Sequence, residues 1–357
     1  MQDANPTVSP ARSSTRLGLY LPFALFAIIV VAWSAFWFYA RYRATEALDL
    51  WLGLEKTAGR LWTCDDRRID GFPFRLQITC AKPTFTGPVR GESGQPIQVQ
   101  GVLGGFAAEA LIYNPNHLLA TLQSPLSVSA SDGRSLDLTW QSLRASVIGR
   151  QGALGEFSLE AKDIAAKLMQ ANEPVATAKG FELHLRQEPG AEPGTVDLAS
   201  YLADASIPLV DGLAGSRDPF RLEVQIRADK LNDIGVAENV PALLDAWRDA
   251  GGKLQIGAVK LQKGPMALNA TGQLGLDPAH YPTGQLDTTI SGADNLLAQL
   301  GFGGKGMKIG GVLGSILGGG KAPAGEQAGA PGMRLAVRLE RGKAYIGPFG
   351  LALRPLY

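Results

Sequence analysis

The sequence predicts a mainly β protein of the α+β class: an N-terminal transmembrane helix followed by curved antiparallel sheets with few helices. Three observations predict it. An uncharged apolar run of 24 residues occupies positions 17–40. Apolar and polar residues alternate with a period of two from Arg60 almost to the end. The 44 glycines and 22 prolines supply turns for that many short strands.

The run LGLYLPFALFAIIVVAWSAFWFYA is bracketed by Arg12 and Arg16 before it and by Arg41 and Arg43 after it. As a helix it is roughly 36 Å long at 1.5 Å per residue, enough for a hydrocarbon core of about 30 Å. A cleaved signal peptide has a shorter apolar region, about 7–15 residues, and ends in a small-x-small site. This run ends instead in Phe36-Trp37-Phe38-Tyr39, which suits an interfacial aromatic belt. Tyr20 and Pro22 mark the other interface. The expected layout is a cytoplasmic tail over 1–16, an uncleaved anchor over 17–40 and a juxtamembrane helix over 41–59. The flanking Lys and Arg count does not favour this orientation. The short tail does, as do the two cysteines, both of which lie beyond the run. The expected location is the inner membrane, single-pass, with the bulk of the chain periplasmic.

Residues 43–58 read as a helix because Ala44, Ala47, Leu48, Trp51 and Leu52 form a stripe at helical spacing. Gly59 suits the position just past its end. Packing against the following domain explains the stripe.

Cys64 and Cys80 are the whole cysteine inventory. A short strand over 60–64 precedes the first. Phe74, Leu76, Ile78 and Cys80 alternate with polar residues up to the second, and Asp65, Asp66, Asp70 and Gly71 supply turn chemistry. Adjacent antiparallel strands would bring the two Cβ atoms within disulfide reach, and the closed loop would stabilise the fold by roughly 3 kcal/mol. Disulfides persist in the periplasm and outside cells. The alternative is a pair of buried reduced thiols. A metal site needs more ligands, and no histidine is near in sequence.

From there to the terminus, residues 60–357 read as one β-rich region, or as two subdomains divided near 188–220. Ile97 and Val99 alternate, as do Leu126, Val128 and Ala130, then Leu136, Leu138 and Trp140 after the turn Ser131-Asp132-Gly133. Leu143, Ala145 and Val147 follow, then Phe157, Leu159 and Ala161, then Phe181, Leu183 and Leu185. Leu222, Val224 and Ile226 continue the pattern, then Leu254 and Ile256, Leu268 to Leu276, Leu286 and Ile290, and Leu335, Val337 and Leu339. Strict alternation means one apolar and one wet face. Helices are few. One opens at Asn239-Val240-Pro241 with Asn239 as N-cap and stops at Gly251-Gly252. Residues 293–300 are a shorter candidate. Residues 188–195 form a loop. The stretch 301–332 is Gly-rich and then low in complexity, and reads as a flexible loop.

The net charge of +1 points away from nucleic acid and from a polybasic membrane patch. Gly301-Phe302-Gly303-Gly304-Lys305-Gly306 matches G-x-G-x-x-G but lacks the surrounding βαβ pattern. The run ending at Lys321 fails the P-loop pattern because Ser315 stands where Gly is required and Ala322 where Ser or Thr is. No G-x-S-x-G elbow occurs. His117, His184 and His280 are far apart with no ligand-spaced neighbours. No catalytic constellation, metal site or cofactor is expected.

One-sided strands with few helices to cover them leave an apolar face that needs a sandwich, a partner or a ligand. Leu126, Val128, Leu136, Leu138, Trp140, Leu222, Val224 and Ile226 are the residues expected to face that interior, either a closed core or an apolar groove. The expected partners are the inner membrane and either lipid or another envelope protein.

Residues 69–75 (Ile-Asp-Gly-Phe-Pro-Phe-Arg), the turn Tyr113-Asn114-Pro115-Asn116-His117, and the C-terminal stretch from Gly342 through Gly350 to Arg354-Pro355-Leu356-Tyr357 form a set. Together they resemble the family catalogued as domain of unknown function 2125, found in Gram-negative bacteria, over most of the chain. That resemblance implies fold and envelope location, and carries over no catalytic residues. More loosely, the early Gly-Phe-Pro-Phe turn and the strand opening Gly284-Gln285-Leu286-Asp287 are similar to AsmA-like envelope proteins. The similarity implies an inner-membrane anchor, long curved sheets with an apolar inner face, and an association with lipid movement or outer-membrane assembly.

Overall fold

The computed structural model describes residues 17–90, 96–150, 153–168, 174–188, 190–231, 240–292, 333–346 and 349–357. The tail with Arg12 and Arg16, the N-cap Asn239, the helix candidate 293–300 and the stretch 301–332 lie outside the described residues.

The first element is a single helix, α1 (Leu17–Thr57), of 41 residues. The segments expected as anchor and juxtamembrane helix are therefore one continuous helix. Nothing in Ala40-Arg41-Tyr42-Arg43 breaks a helix, since neither Gly nor Pro occurs there. It is long and apolar enough to cross a membrane. It stops where Gly59 takes a positive φ of 79° and donates its N–H to the Lys56 carbonyl.

After it, the strands among the described residues, 18 in all, form one antiparallel sheet. At one edge lie β1 (Leu61–Thr63) and β2 (Arg68–Asp70). β1 pairs with β4 (Thr84–Arg90), and β2 with β3 (Arg75–Ala81). Both β3 and β4 lie against the long β5 (Pro96–Leu111), which pairs with β6 (Asn114–Ala130). β6 in turn pairs with β7 (Ser135–Thr139) and β8 (Ser142–Arg150), and both of these lie on β9 (Ala153–Leu168). From β9 the chain meanders through β10 (Ala176–Gln187), β11 (Val196–Ala205), β12 (Phe220–Ala228), β13 (Leu254–Lys263) and β14 (Met266–Leu276). It ends with β15 (Pro282–Ser291), β16 (Met333–Glu340), β17 (Lys343–Ile346) and β18 (Phe349–Ala352). Residues 188–220 carry β11 and α2 (Pro208–Ala214), and the ladder passes through this region without interruption. α3 (Val240–Asp249) lies between β12 and β13.

A line of irregularities crosses the first half of the sheet. Lys82 (φ 54°) and Pro83 separate β3 from β4, opposite Leu103 and Gly104. Gly104 faces Ser124-Pro125, a cis peptide. Trp140 and Gln141 separate β7 from β8, opposite Asp163 (φ 48°) and Ile164. Lys179 and Asp204 (φ 45°) continue the line through β10 and β11. The register slips by one residue across β5–β6 and between β6 and β7–β8, and such bulges bend strands, so this line is a crease. It also resets the alternation. In β9 the apolar positions are Phe157, Leu159 and Ala161 before the crease, and Ile164, Ala166 and Leu168 after it.

The buried core is small and sits where the crease meets α2. Ala178, Ala205 and Phe220 are buried there against Ile164, Leu202, Ile207, Val210, Leu222 and Leu261. Lys263, 1% exposed, reaches into the same place. Its Nζ lies 2.6 Å from Asp211 Oδ1 and 2.6 Å from the Asp218 carbonyl, which ties the end of β13 to α2.

Candidate functional site: an apolar sheet face rooted at the N-terminal helix

Register and alternation collect the apolar side chains of successive strands into cross-sheet rows. One row passes through Ile78, Ala108, Ala120 and Ala145, then Leu159, Leu183, Ser200 and Val224. It goes on through Val259, Ala270, Thr288 and Leu335. The flanking row through Phe106, Leu122, Leu143, Ala161, Phe181, Leu202, Leu222, Leu261, Leu268 and Ile290 is almost free of polar groups. The opposite face is charged and paired. Arg227 forks onto Asp197 at 2.7 and 3.2 Å and reaches Glu188 at 2.7 Å, while Lys260 meets Glu223 at 3.1 Å. The two arginines, Arg227 ahead of Arg186, hold the Asp197 carboxyl below the usual range.

The sequence-selected residues fall on this framework as follows. Leu126 pairs with Leu138 and Val128 with Leu136, so these four share one face beyond the crease. Leu222, Val224 and Ile226 line β12 on its apolar side. Trp140 is outside the strand expected for it: β7 ends at Thr139, and Trp140 sits in the crease with its indole N–H donating to the Leu122 carbonyl at 2.9 Å. All eight residues are half-buried, none fully.

Cys64 and Cys80 form a disulfide with Cα atoms 5.9 Å apart. Their strands are not hydrogen-bonded neighbours, because β1 pairs with β4 and β3 with β2 and β5. The bridge therefore ties the β1 side of the crease to the β3 side. The Asp66 carboxylate lies beside the sulfurs and accepts the Ala81 N–H at 2.9 Å.

Two histidines lie on the sheet. His117 Nε2 is 3.0 Å from Ser146 Oγ. His184 Nδ1 is 3.0 Å from Ser158 Oγ, with Glu182 at 3.7 Å from its other nitrogen. This resembles a nucleophile–base–acid set only in composition. His184 and Ser158 are directly opposed ladder partners, and β9 is paired on both sides, so backbone donors near the hydroxyl are committed to strands. His280 stacks on Tyr357 at 4.2 Å and packs beside Asp245.

Sequence reasoning missed the contacts that root the sheet on the helix. Trp33 donates its indole N–H to the Pro73 carbonyl at 2.8 Å, and Trp37 donates to the Arg75 carbonyl at 2.9 Å. Trp37 packs edge-on against Phe72 at 5.4 Å, Trp33 lies 6.1 Å from Phe74, and Phe38 stacks with Phe72 at 6.3 Å. Trp37 is 3% exposed. A tryptophan buries a large ring and needs a partner for its N–H, and residues 72–75 supply both. The signal available in sequence was a second aromatic cluster, Phe72 and Phe74, close after the first. Lower down the helix, Trp51 packs on Trp62 at 5.9 Å and Arg67 pairs with Asp49 at 2.8 Å. Of the juxtamembrane stripe, Ala44, Leu48 and Leu52 are half-buried, and Ala47 is exposed.

No curated protein and no solved structure matches the chain. A family model does, across residues 37–355, from Trp37 in the helix to Pro355 near the terminus. The chain therefore belongs to the DUF2125 family, described as uncharacterized protein conserved in bacteria.

Proposed function

We propose that this is a non-enzymatic, inner-membrane-anchored envelope protein whose periplasmic sheet holds lipid-like chains on its apolar face. The observation that carries the reading is the apolar row crossing the sheet, whose middle, from Ala120 through Leu159, Leu183 and Val224 to Val259, stays only half-buried, while Ala108 toward one end and Ala270 toward the other are buried. An extended apolar face of this kind needs an apolar occupant. Retention of the anchor is supported by Trp33 and Trp37 of the apolar run, which are bonded to the folded body. The disulfide favours the periplasmic side.

Photo-crosslinking tests the reading in the intact chain. A photoreactive residue at Leu159 or Val224, on the apolar face, yields lipid adducts by mass spectrometry. The same residue at Glu160 or Glu223, on the polar face, does not. Equal yields from both faces, or none from either, overturn it.

A second reading is an assembly role, in which another envelope protein adds a strand. It is favoured by β18, whose outer edge has no strand partner among the described residues. Protein adducts in place of lipid adducts would select it.

A further inference from the structure

We propose that the turn over residues 71–74 and the adjoining hairpin tip over 111–113 insert into the leaflet from which α1 emerges, so that the sheet stands on the membrane through an aromatic foot as well as hanging from a helix. The inference rests on the membrane-anchor reading above and adds a second contact to it.

Depth decides the matter. Trp33 and Trp37 belong to the last eight residues of the apolar run, which ends at Ala40. At 1.5 Å per residue, Trp33 lies about 10 Å and Trp37 about 4.5 Å inside the end of that run. Interfacial segments bury their apolar faces about 5–10 Å into the headgroup–acyl boundary. Phe72 and Phe74 are held beside those two indoles, so they occupy the same slab. They are 53% and 59% exposed in the isolated chain, which water would disfavour and a leaflet would not. The neighbouring hairpin is locked to the same depth, because the Ile112 N–H donates to the Phe74 carbonyl at 3.0 Å. Its Tyr113 is 68% exposed, and Leu111 is exposed as well.

The charges define the waterline. Asp70 and Arg75 bound the apolar turn on either side, and Arg75 pairs with Glu109 on the adjacent strand at 3.2 Å. Arg41 lies over the Trp37 ring at 5.9 Å. Tyr, Trp and flanking Arg are the residues that settle at an interface. The next hairpin along this end of the sheet carries Arg150 and Glu156 as an ion pair at 2.7 Å, so the foot is confined to the strands beside the helix. The apolar rows of the sheet begin at these same strands, which places one end of the face at the acyl chains.

The test uses the full chain in vesicles of phosphatidylethanolamine and phosphatidylglycerol. Cys64 and Cys80 are bonded to each other, so a single added thiol takes an environment-sensitive fluorophore. Tyr113→Cys and Phe72→Cys probe the foot, and Asp132→Cys, in the turn at the far end of the sheet, is the reference. In protein that floats with the vesicles, the foot labels emit at shorter wavelength and are quenched several-fold more by spin-labelled lipid than the reference label, which iodide quenches. Iodide quenching at Tyr113→Cys equal to that at Asp132→Cys overturns the foot and leaves the anchor standing. Protein that fails to float overturns both. Neither result depends on whether lipid occupies the apolar face.

Discussion

The indole N–H of Trp37 donates to the carbonyl oxygen of Arg75 at 2.9 Å, joining an apolar helix to the first residue of a strand 38 positions later. Trp37→Phe keeps most of the packing against Phe72 and loses the bond. The expected loss is about 1 kcal/mol, the usual net worth of such a bond. Trp37→Ala removes the ring too and is expected to cost about 3–5 kcal/mol. Thermal unfolding of the detergent-solubilised full chain measures both. Equal, negligible losses would mean that helix and sheet do not fold as a unit.

The Lys263–Asp211 pair sits beside the buried cluster of Ala178, Ala205 and Phe220, with the lysine side chain fully enclosed. Removing one partner strands the other charge. Asp211→Asn is therefore expected to destabilise by about 3–5 kcal/mol. The double change Lys263→Met with Asp211→Leu exchanges the pair for apolar packing and is expected to recover most of that loss. A double-mutant cycle in urea resolves the coupling.

Gly104 accepts no side chain. A Cβ there would lie 2.3 Å from the Ser124 carbonyl oxygen and 2.9 Å from that of Gln123. Both are backbone atoms, so the strands themselves must part. Gly104→Ala is expected to cost about 1–3 kcal/mol, the usual range for overpacking. Gly133→Ala, in an open turn with φ 87°, has no such contact and carries only the conformational penalty. A larger loss at Gly133 than at Gly104 would contradict the crease geometry.

The C-terminal residue Tyr357 donates its hydroxyl to Asp245 Oδ1 at 2.8 Å, fastening the chain end to α3. That hydrogen bond, helped by the charges of Arg248 and His280, lowers the Asp245 pKa. Desolvation and then the Asp245 contact raise that of Tyr357. The depressed carboxyl stabilises the contact above its unfolded pKa of about 3.9 and loses this as pH falls through the folded value. The raised phenol stabilises it below about pH 10 and loses this as pH rises through its folded value. Amide exchange at Leu356, whose N–H donates to the His280 carbonyl, is expected to be slowest between about pH 4 and 10, after correction for intrinsic rates, and Tyr357→Phe to flatten that window.

Much of this architecture was legible in the sequence, and the exceptions have physical causes. The long helix and most one-sided strands followed from apolar spacing. β5 showed only Ile97 and Val99, yet it runs 16 residues, because Gly101, Gly104, Gly105 and its alanines dilute the pattern. Trp140 continued the alternation of Leu136 and Leu138, but an extra residue in β7–β8 opposite β6 resets parity, and no period reveals that. Lys263 resembled any exposed strand lysine, since its partner is 52 residues earlier. The docking of Phe72 and Phe74 on Trp33 and Trp37 depended on a tertiary contact that spacing does not encode.

The apolar face can be tested for openness by placing a charge on it. Val224 lies in the middle of the cross-sheet row, between Ser200 and Val259, and is half-buried. In a closed core, a lysine there would be an unpaired buried charge and would unfold the chain, a loss of several kcal/mol. On an open face the ammonium reaches water along its flexible stem, and the loss stays near 1 kcal/mol. Val224→Lys is therefore expected to remain folded and to abolish lipid adducts from a photoreactive residue at Leu159. Glu223→Lys on the polar face is expected to leave those adducts unchanged. Unfolding of Val224→Lys would mean that the face is a sealed interior, and survival of the adducts would mean that lipid lies elsewhere.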